Sequence, residues 1–280
     1  MRAVTYRIIA TINMDYLISK TGEKLPIEKV KVLIAVKTYP LPSKEYQETV
    51  CTAGVREDGT WIRLYPVPYR HLPYDQWYKK YHWIELEVIK HDKDPRSESY
   101  RPYGEIKILG KIDTKNNWAE RKRYALKHIE PSLEALKEKS KRGVSLGVIK
   151  PKEVLDFIVE PVSGEWKDKW QSLFKQLKLF GEQQKSLEKI PYKFSYRFIC
   201  HGEKCASHKI MIEDWEIYAL YSNMLKEYGS KEKAIEKVKE QYFLKFTKEK
   251  DLYFFMGTTR KDHHRGAFLI IGVFYPKKEI

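Results

Sequence analysis

Two of the chain's three cysteines and two of its eight histidines fall within Phe198 to Glu216, FICHGEKCASHKIMIEDWE. Cys200, Cys205 and His208, with His201 beside the first cysteine, gather thiol and imidazole groups in one short loop, the donor set that zinc takes tetrahedrally. A second loop, GTTRKDHHRG, offers His263 and His264 as a fourth ligand. Against this, the two cysteines stand further apart than the two-residue spacing common in zinc ribbons, and half of a ribbon's ligands are missing. A structural zinc, a buried pair of free thiols, and a catalytic metal or redox couple all stay open for this loop.

Carboxylates crowd the same region: Glu213, Asp214 and Glu216, and later Asp251 and Asp262. With His263 and His264 they suit magnesium or manganese in a phosphodiesterase site, the enzymatic alternative for this chain. The triplet Asp262-His263-His264 matches a short signature of one phosphoesterase superfamily, but the acidic strand motif and α/β pattern that accompany that signature are missing. The sequence has no phosphate-cradling glycine loop, dinucleotide fingerprint or nucleophile elbow.

A third chemistry is the recognition of a polyanion. The chain has 53 lysines and arginines against 38 aspartates and glutamates, a formal charge of +15 over 280 residues, which makes nucleic acid the first partner to consider. The competing explanation is a surface simply rich in lysine and glutamate, as in proteins of hot environments. In GTWIRLYPV a period of two puts Trp61, Arg63 and Tyr65 on one face of a strand and Ile62 and Leu64 on the other. Rings flanking a guanidinium are what a single-stranded nucleic-acid groove uses. The same face can equally be a packing layer with Arg63 satisfied internally. PVPYRHLPYDQWYKKYH then crowds Arg70, Lys79 and Lys80 among aromatic residues. Further on, Arg121, Lys122 and Arg123 have the density to track phosphates, or to form a solvated face with the interleaved glutamates.

These residues need elements to hold them. KVKVLIAVKTY reads as a strand, and ETVCTAGV with GTWIRLYPV as a hairpin turned at Asp58-Gly59, where glycine takes positive φ without steric cost. Cys51 sits in the first arm as a small packing thiol. HWIELEVI and EIKILGKID are further strands, with Ile84, Leu86 and Val88 facing inward. NNWAERKRYALKH predicts a helix capped by Asn116 or Asn117, and Pro131 opens a second. In WKDKWQSLFKQLKLFGEQQ, Trp166, Trp170, Leu173, Phe174 and Leu177 form a packing stripe, with Gly181 as terminator. Asp214 is placed to cap a helix closed by Gly229, Ser230 to cap another, and DLYFFMGTT and AFLIIGVFYP complete the strands.

KVLIAVKTYP, VCTAGVREDGTWIRLYPVPYR and the aromatic run before HWIELEVI together resemble a group of uncharacterised prokaryotic proteins with two OB-like small β-barrels. The resemblance runs from Val32 over most of the chain. It implies that fold and association with nucleic acid, and it carries no catalytic residues. The expected fold is α+β, with two small barrel-like β domains carrying inserted and connecting helices: an arm over 1–30, a first OB-like domain over 31–115, a basic helical connector over 116–143 and a second α+β domain over 144–280.

Three cysteines make no disulfide framework, no secretion signal is evident, and no stretch approaches the ~20 apolar residues of a membrane span, so a cytoplasmic protein is expected. The expected function is binding of single-stranded DNA or RNA on a basic and aromatic barrel surface. The alternatives are a metal-dependent nuclease centred on the second half and an interaction adaptor whose charge is incidental.

Overall fold

The computed structural model describes residues 22–179, 187–202, 205–261, 263 and 266–279. In the first half, β1 (Ile27–Lys37) runs antiparallel to β3 (Gln47–Arg56), with β2 (Leu41–Ser43) added to the outer edge of β3. β3 turns back into β4 (Trp61–Val67) at the Asp58-Gly59 turn, where Gly59 has φ +86° and Asp58 accepts the Thr60 N–H at 2.8 Å. β5 (His82–Lys90) pairs with β1, and β6 (Ser99–Lys111) lies between β5 and β4, parallel to β4. The circuit β1-β5-β6-β4-β3-β1 is a closed five-stranded barrel, the architecture of OB folds. β1 begins four residues before the expected strand, within the stretch expected as an arm. Of that arm, 1–21 lie outside the described residues.

β1 explains its own composition. Val32 and Ile34 enter the barrel core with Ile62, Leu64, Ile84, Leu86 and Val88, while Leu33, Ala35 and Val36 point outward and are also sealed. A strand buried on both faces is apolar at every position, not at alternate ones. What covers its outer side comes from the second half: Leu146, Val148, Tyr253, Phe255, Ile271 and Phe274 form one apolar cluster with Leu33, Ala35, Val36, Ala53 and Val55.

Between the halves lie α1 (Lys115–Ala125) and α2 (Leu133–Ser140), the latter capped by Ser132, whose hydroxyl accepts the Ala135 N–H at 3.1 Å. The second half has two three-stranded antiparallel sheets. One contains β7 (Leu146–Ile149), β11 (Tyr253–Thr258) and β12 (Phe268–Phe274); the other contains β8 (Glu153–Pro161), β9 (Tyr192–Ile199) and β10 (His208–Met211). Among the described residues, the bridge from Ile212 to Ile270 connects them. α3 (Asp168–Leu179) follows β8, although Gly181, its expected terminator, lies outside the described residues, as does the burial of Leu177.

α4 (Trp215–Tyr228) begins at Asp214, whose carboxylate accepts the Glu216 N–H, and ends at Gly229 with φ +64°. α5 (Lys231–Lys239) is capped by Ser230 and continues through a π-helical turn, Glu240–Lys245, into α6 (Phe246–Glu249). Tyr196, Tyr221, Phe246 and Phe254 fill the core of this half. The class is therefore α+β with barrel-like β structure, as expected. No described helix is long and apolar enough to cross a membrane.

Candidate nucleic-acid interface

The face of β4 expected to meet nucleic acid is partly covered, with Arg63 buried and Trp61 and Tyr65 half-buried. Ile62 and Leu64 point into the barrel as the alternation requires, so Trp61, Arg63 and Tyr65 share the outside. The second half sits on that outside. Trp61 packs edge-on against Phe255 with ring centroids 5.5 Å apart. Arg63 is 2% exposed, its Nη1 donating to Cys51 Sγ at 2.9 Å and its Nη2 to the Ser145 carbonyl and hydroxyl at 3.2 Å. Tyr65 borders a cavity of about 240 Å³ with Cys51, Arg63, Glu213 and Thr258; burial pushes the Glu213 carboxyl up to about 7. This corrects the sequence expectation: the guanidinium of Arg63 is spent inside the protein.

The remaining cations expected to meet phosphates are scattered. Arg70 pairs with Glu48 at 3.1 Å, Lys122 with Glu279 at 2.6 Å, and Arg123 with Glu120 at 3.6 Å. Arg121 is buried, donating from Nε and Nη2 to the Ile112 carbonyl and stacking 4.0 Å from the Tyr81 ring centroid. Arg121 differs from the others in lining a cleft of about 430 Å³ between the two halves.

That cleft gathers cations from strand and helix ends. Lys37 is the last residue of β1 and Lys111 the last of β6; Lys79 and Lys80 precede β5. Across from them stand Trp215 and Glu216 on the first turn of α4, and Tyr275 just after β12. Lys80 reaches the fully buried Asp214 at 2.7 Å and Glu216 at 3.0 Å. Burial lowers a lysine's hold on its proton, but here Asp214 and Glu216 outweigh it and keep Lys80 above its ordinary value and charged. The same burial pushes Asp214 upward against the pull of Lys80. Asp214 also accepts the N–H groups of Glu216 and Val273, each at 3.2 Å, so one carboxylate ties barrel, helix and sheet together.

Lys37, Lys79 and Lys111 have no ion pair among the described residues. Lys37 lies 4.1 Å from the Tyr69 ring centroid and 5.0 Å from that of Trp215. Its burial, with Lys80 nearby, pulls its pKa down to about 8. Two of the rings around the cleft stand on strained backbone. Tyr81 has φ +63°, and Asn116, Asn117 and Trp118 take left-handed φ values of 47°, 50° and 63°. The expected asparagine cap is thus a left-handed turn, which asparagine tolerates and tryptophan does not, at about 1–2 kcal/mol per residue. It is held by Asn117, whose amide donates to the Lys277 carbonyl at 2.9 Å and whose carbonyl accepts the Lys277 N–H at 2.8 Å. The turn seats Trp118 against Tyr81, Phe274 and Tyr275 at the cleft wall. Strain of this kind collects where a side chain must be aimed.

The predicted metal ligands divide. Cys200, Cys205 and His208 come together, their donor atoms all within 4.8 Å of one another. His201 is exposed, and His264 lies outside the described residues. His263 belongs elsewhere: its Nδ1 is 3.2 Å from the Thr258 hydroxyl, and its charged neighbours are Arg96, Glu98, Asp94 and Arg63. The β11–β12 connection carries it toward the barrel, not toward the cysteines. Of the carboxylates expected to hold magnesium or manganese, Asp214 and Glu216 converge on the Lys80 ammonium, while Asp251 pairs elsewhere with Lys150 and Tyr253. Asp262 lies outside the described residues.

Residues 128–280 match the family model described as Domain of unknown function (DUF8757), and residues 28–127 match that described as Domain of unknown function (DUF8758). The chain belongs to the DUF8757 family. No curated protein matches it. Among solved structures, a murine DNA-binding protein bound with double-stranded DNA aligns over 90% of this chain and 97% of that one, with 10% identity and a TM-score of 0.28, too low for a shared fold.

The two matched segments meet at the cleft. Lys37, Lys79, Lys80, Lys111, Trp118 and Arg121 come from the first, and Trp215, Glu216 and Tyr275 from the second. Most of these residues carry no local signal of a site. The exceptions are the Lys79-Lys80 pair inside an aromatic run, Arg121 in the basic run that follows, and Glu216 among the crowded carboxylates.

Proposed function

We propose that the protein binds single-stranded nucleic acid, DNA or RNA, with the strand entering the cleft between the barrel and α4. The supporting observation is that Lys37, Lys79 and Lys111, in no ion pair among the described residues, face the same space as Trp118 and Trp215. Phosphates meet the lysines and an unpaired base meets a tryptophan ring, the combination used by sequence-tolerant single-strand sites. At about 430 Å³ the cleft has the size of a small-ligand pocket, so it grips one short stretch of a strand and leaves the rest outside. A duplex keeps its base faces stacked and offers only its backbone.

The test is a fluorescence-anisotropy titration with labelled single- and double-stranded oligonucleotides at several salt concentrations, alongside quenching of tryptophan emission. Tighter binding of single strands, steep weakening with salt and quenching that is lost in Trp215→Leu support the reading. Equal affinity for both forms, or binding indifferent to Lys79→Ala with Lys111→Ala, overturns it.

A further inference from the structure

We propose that Cys200, Cys205, His208 and Glu134 hold one zinc ion, and that this ion clamps α2 to the β9–β10 hairpin. Cys200 follows the end of β9, and His208 opens β10. Between them the chain must turn with almost no apolar residue to anchor it. What the loop offers instead is donor atoms: Cys205 Sγ lies 3.3 Å from His208 Nε2, and the Cys200 N–H donates to Cys205 Sγ at 3.2 Å.

Glu134, in the first turn of α2, completes the set from a distant part of the sequence. Its Oε1 is 3.0 Å from the same Nε2 of His208. Zinc bound at its usual lengths to sulfur and nitrogen spaces tetrahedral ligands about 3.3–3.8 Å apart, so the two sulfurs and the imidazole, all within 4.8 Å of one another, are near the separations an ion needs, and Glu134 joins them through its contact with the imidazole. The fourth ligand is therefore a carboxylate from the connector helix, in place of the histidines of the β11–β12 loop.

Two backbone N–H groups face the sulfurs of the cluster, although burial pushes the Cys200 thiol up to about 11. The Leu133 N–H at the start of α2 is directed at Cys200, and the Cys200 N–H at Cys205. Such donors onto sulfur are the outer partners that tune metal sites. Cys200 is 1% exposed, whereas the Glu134 side chain is 55% exposed, so the site is closed on the protein side and reachable from solvent at the carboxylate. Two thiolates, one imidazole and one carboxylate match zinc better than magnesium, which takes oxygen ligands. The ion joins two elements more than sixty residues apart in sequence, and its role is structural.

The experiment uses the full chain, purified under reducing conditions without a metal-affinity tag. Elemental analysis is expected to find one zinc per chain. Replacing zinc by cobalt is expected to give the visible bands of a tetrahedral site with thiolate-to-cobalt charge transfer. Because Cys200 is buried, Cys200→Ser tests folding as much as binding; the half-buried Cys205→Ser and the exposed Glu134→Gln decide the matter. Cys205→Ser should abolish the cobalt spectrum, and Glu134→Gln should weaken zinc in chelator competition by at least about tenfold, the scale of losing even an outer partner. Unaltered affinity in Glu134→Gln overturns the fourth ligand. Metal-free protein that gives no cobalt bands, or alkylation mapping that finds Cys200 and Cys205 joined as a disulfide in the reduced preparation, overturns the site.

Discussion

The outer face of β4 and the cleft beside α4 carry the same kinds of side chain, rings interleaved with cations, and meet opposite fates. On β4 the guanidinium of Arg63 finds neutral acceptors on Cys51 and Ser145, and Trp61 finds Phe255, so the surface closes as an interface between the halves. In the cleft, Lys79 is exposed and Lys111 stands at a strand end, and neither forms an ion pair among the described residues. OB barrels commonly bind oligonucleotides on the face that includes this third strand. Here the second half occupies that face, and the free positive charge lies at the rim of the same interface. Composition alone does not mark a binding surface; an unanswered charge does.

The sharpest way to break this contrast is at the pair beneath the cleft. Lys80→Met leaves Asp214 buried without its partner and should cost about 3–5 kcal/mol in urea unfolding. The sign with pH follows from Asp214, already raised by burial. Without Lys80 its folded pKa lies further above the unfolded value, so the folded state binds the extra proton and the variant loses stability as pH rises through that window. A loss that is the same at pH 5 and pH 8 would contradict this account.

Arg63→Met comes next. Removing donors from Cys51 and Ser145 should destabilise by about 1–3 kcal/mol, while oligonucleotide affinity of the folded protein stays at the wild-type level. A drop in affinity without unfolding would place nucleic acid on the β4 face after all. Lys79→Ala with Lys111→Ala should do the reverse. Stability should hold within about 0.5 kcal/mol, and the slope of log affinity against log salt should flatten by about 0.7 for each phosphate that is no longer neutralised. The smallest effect concerns Lys37, pulled down to about 8 and neutral above that pH. Affinity should fall a few-fold between pH 7 and 9, far below the range where ordinary lysines discharge, and Lys37→Arg should remove the fall.

Much of the frame is legible in the sequence because its signals are local. The Asp58-Gly59 turn, the inward set Ile84, Leu86 and Val88, and the ends of α4 at Asp214 and Gly229 each follow from a few adjacent residues. The cleft is not legible, because it needs the ends of β1 and β6 to meet α4, and no periodicity reports a meeting across more than a hundred residues. The alternation in β4 reads correctly; which of its faces is covered depends on Ser145 and Phe255, far along the chain. The cysteine cluster lies between these cases. Its own loop is visible, while its neighbour Glu134 is hidden in a helix whose sequence says only that it is charged. His263 fails as a partner because the β11–β12 connection leads it to Thr258.

β1, apolar on both sides, has a consequence for anyone dissecting the molecule. Scissors placed between Lys127 and His128, where the two family matches abut, would strip Leu33, Ala35 and Val36 of their cover on one fragment and bare Phe255, Ile271 and Phe274 on the other. Each piece would emerge with a sticky flank, prone to precipitate alone and soluble again when mixed with its counterpart. The seam drawn in sequence is a weld in three dimensions.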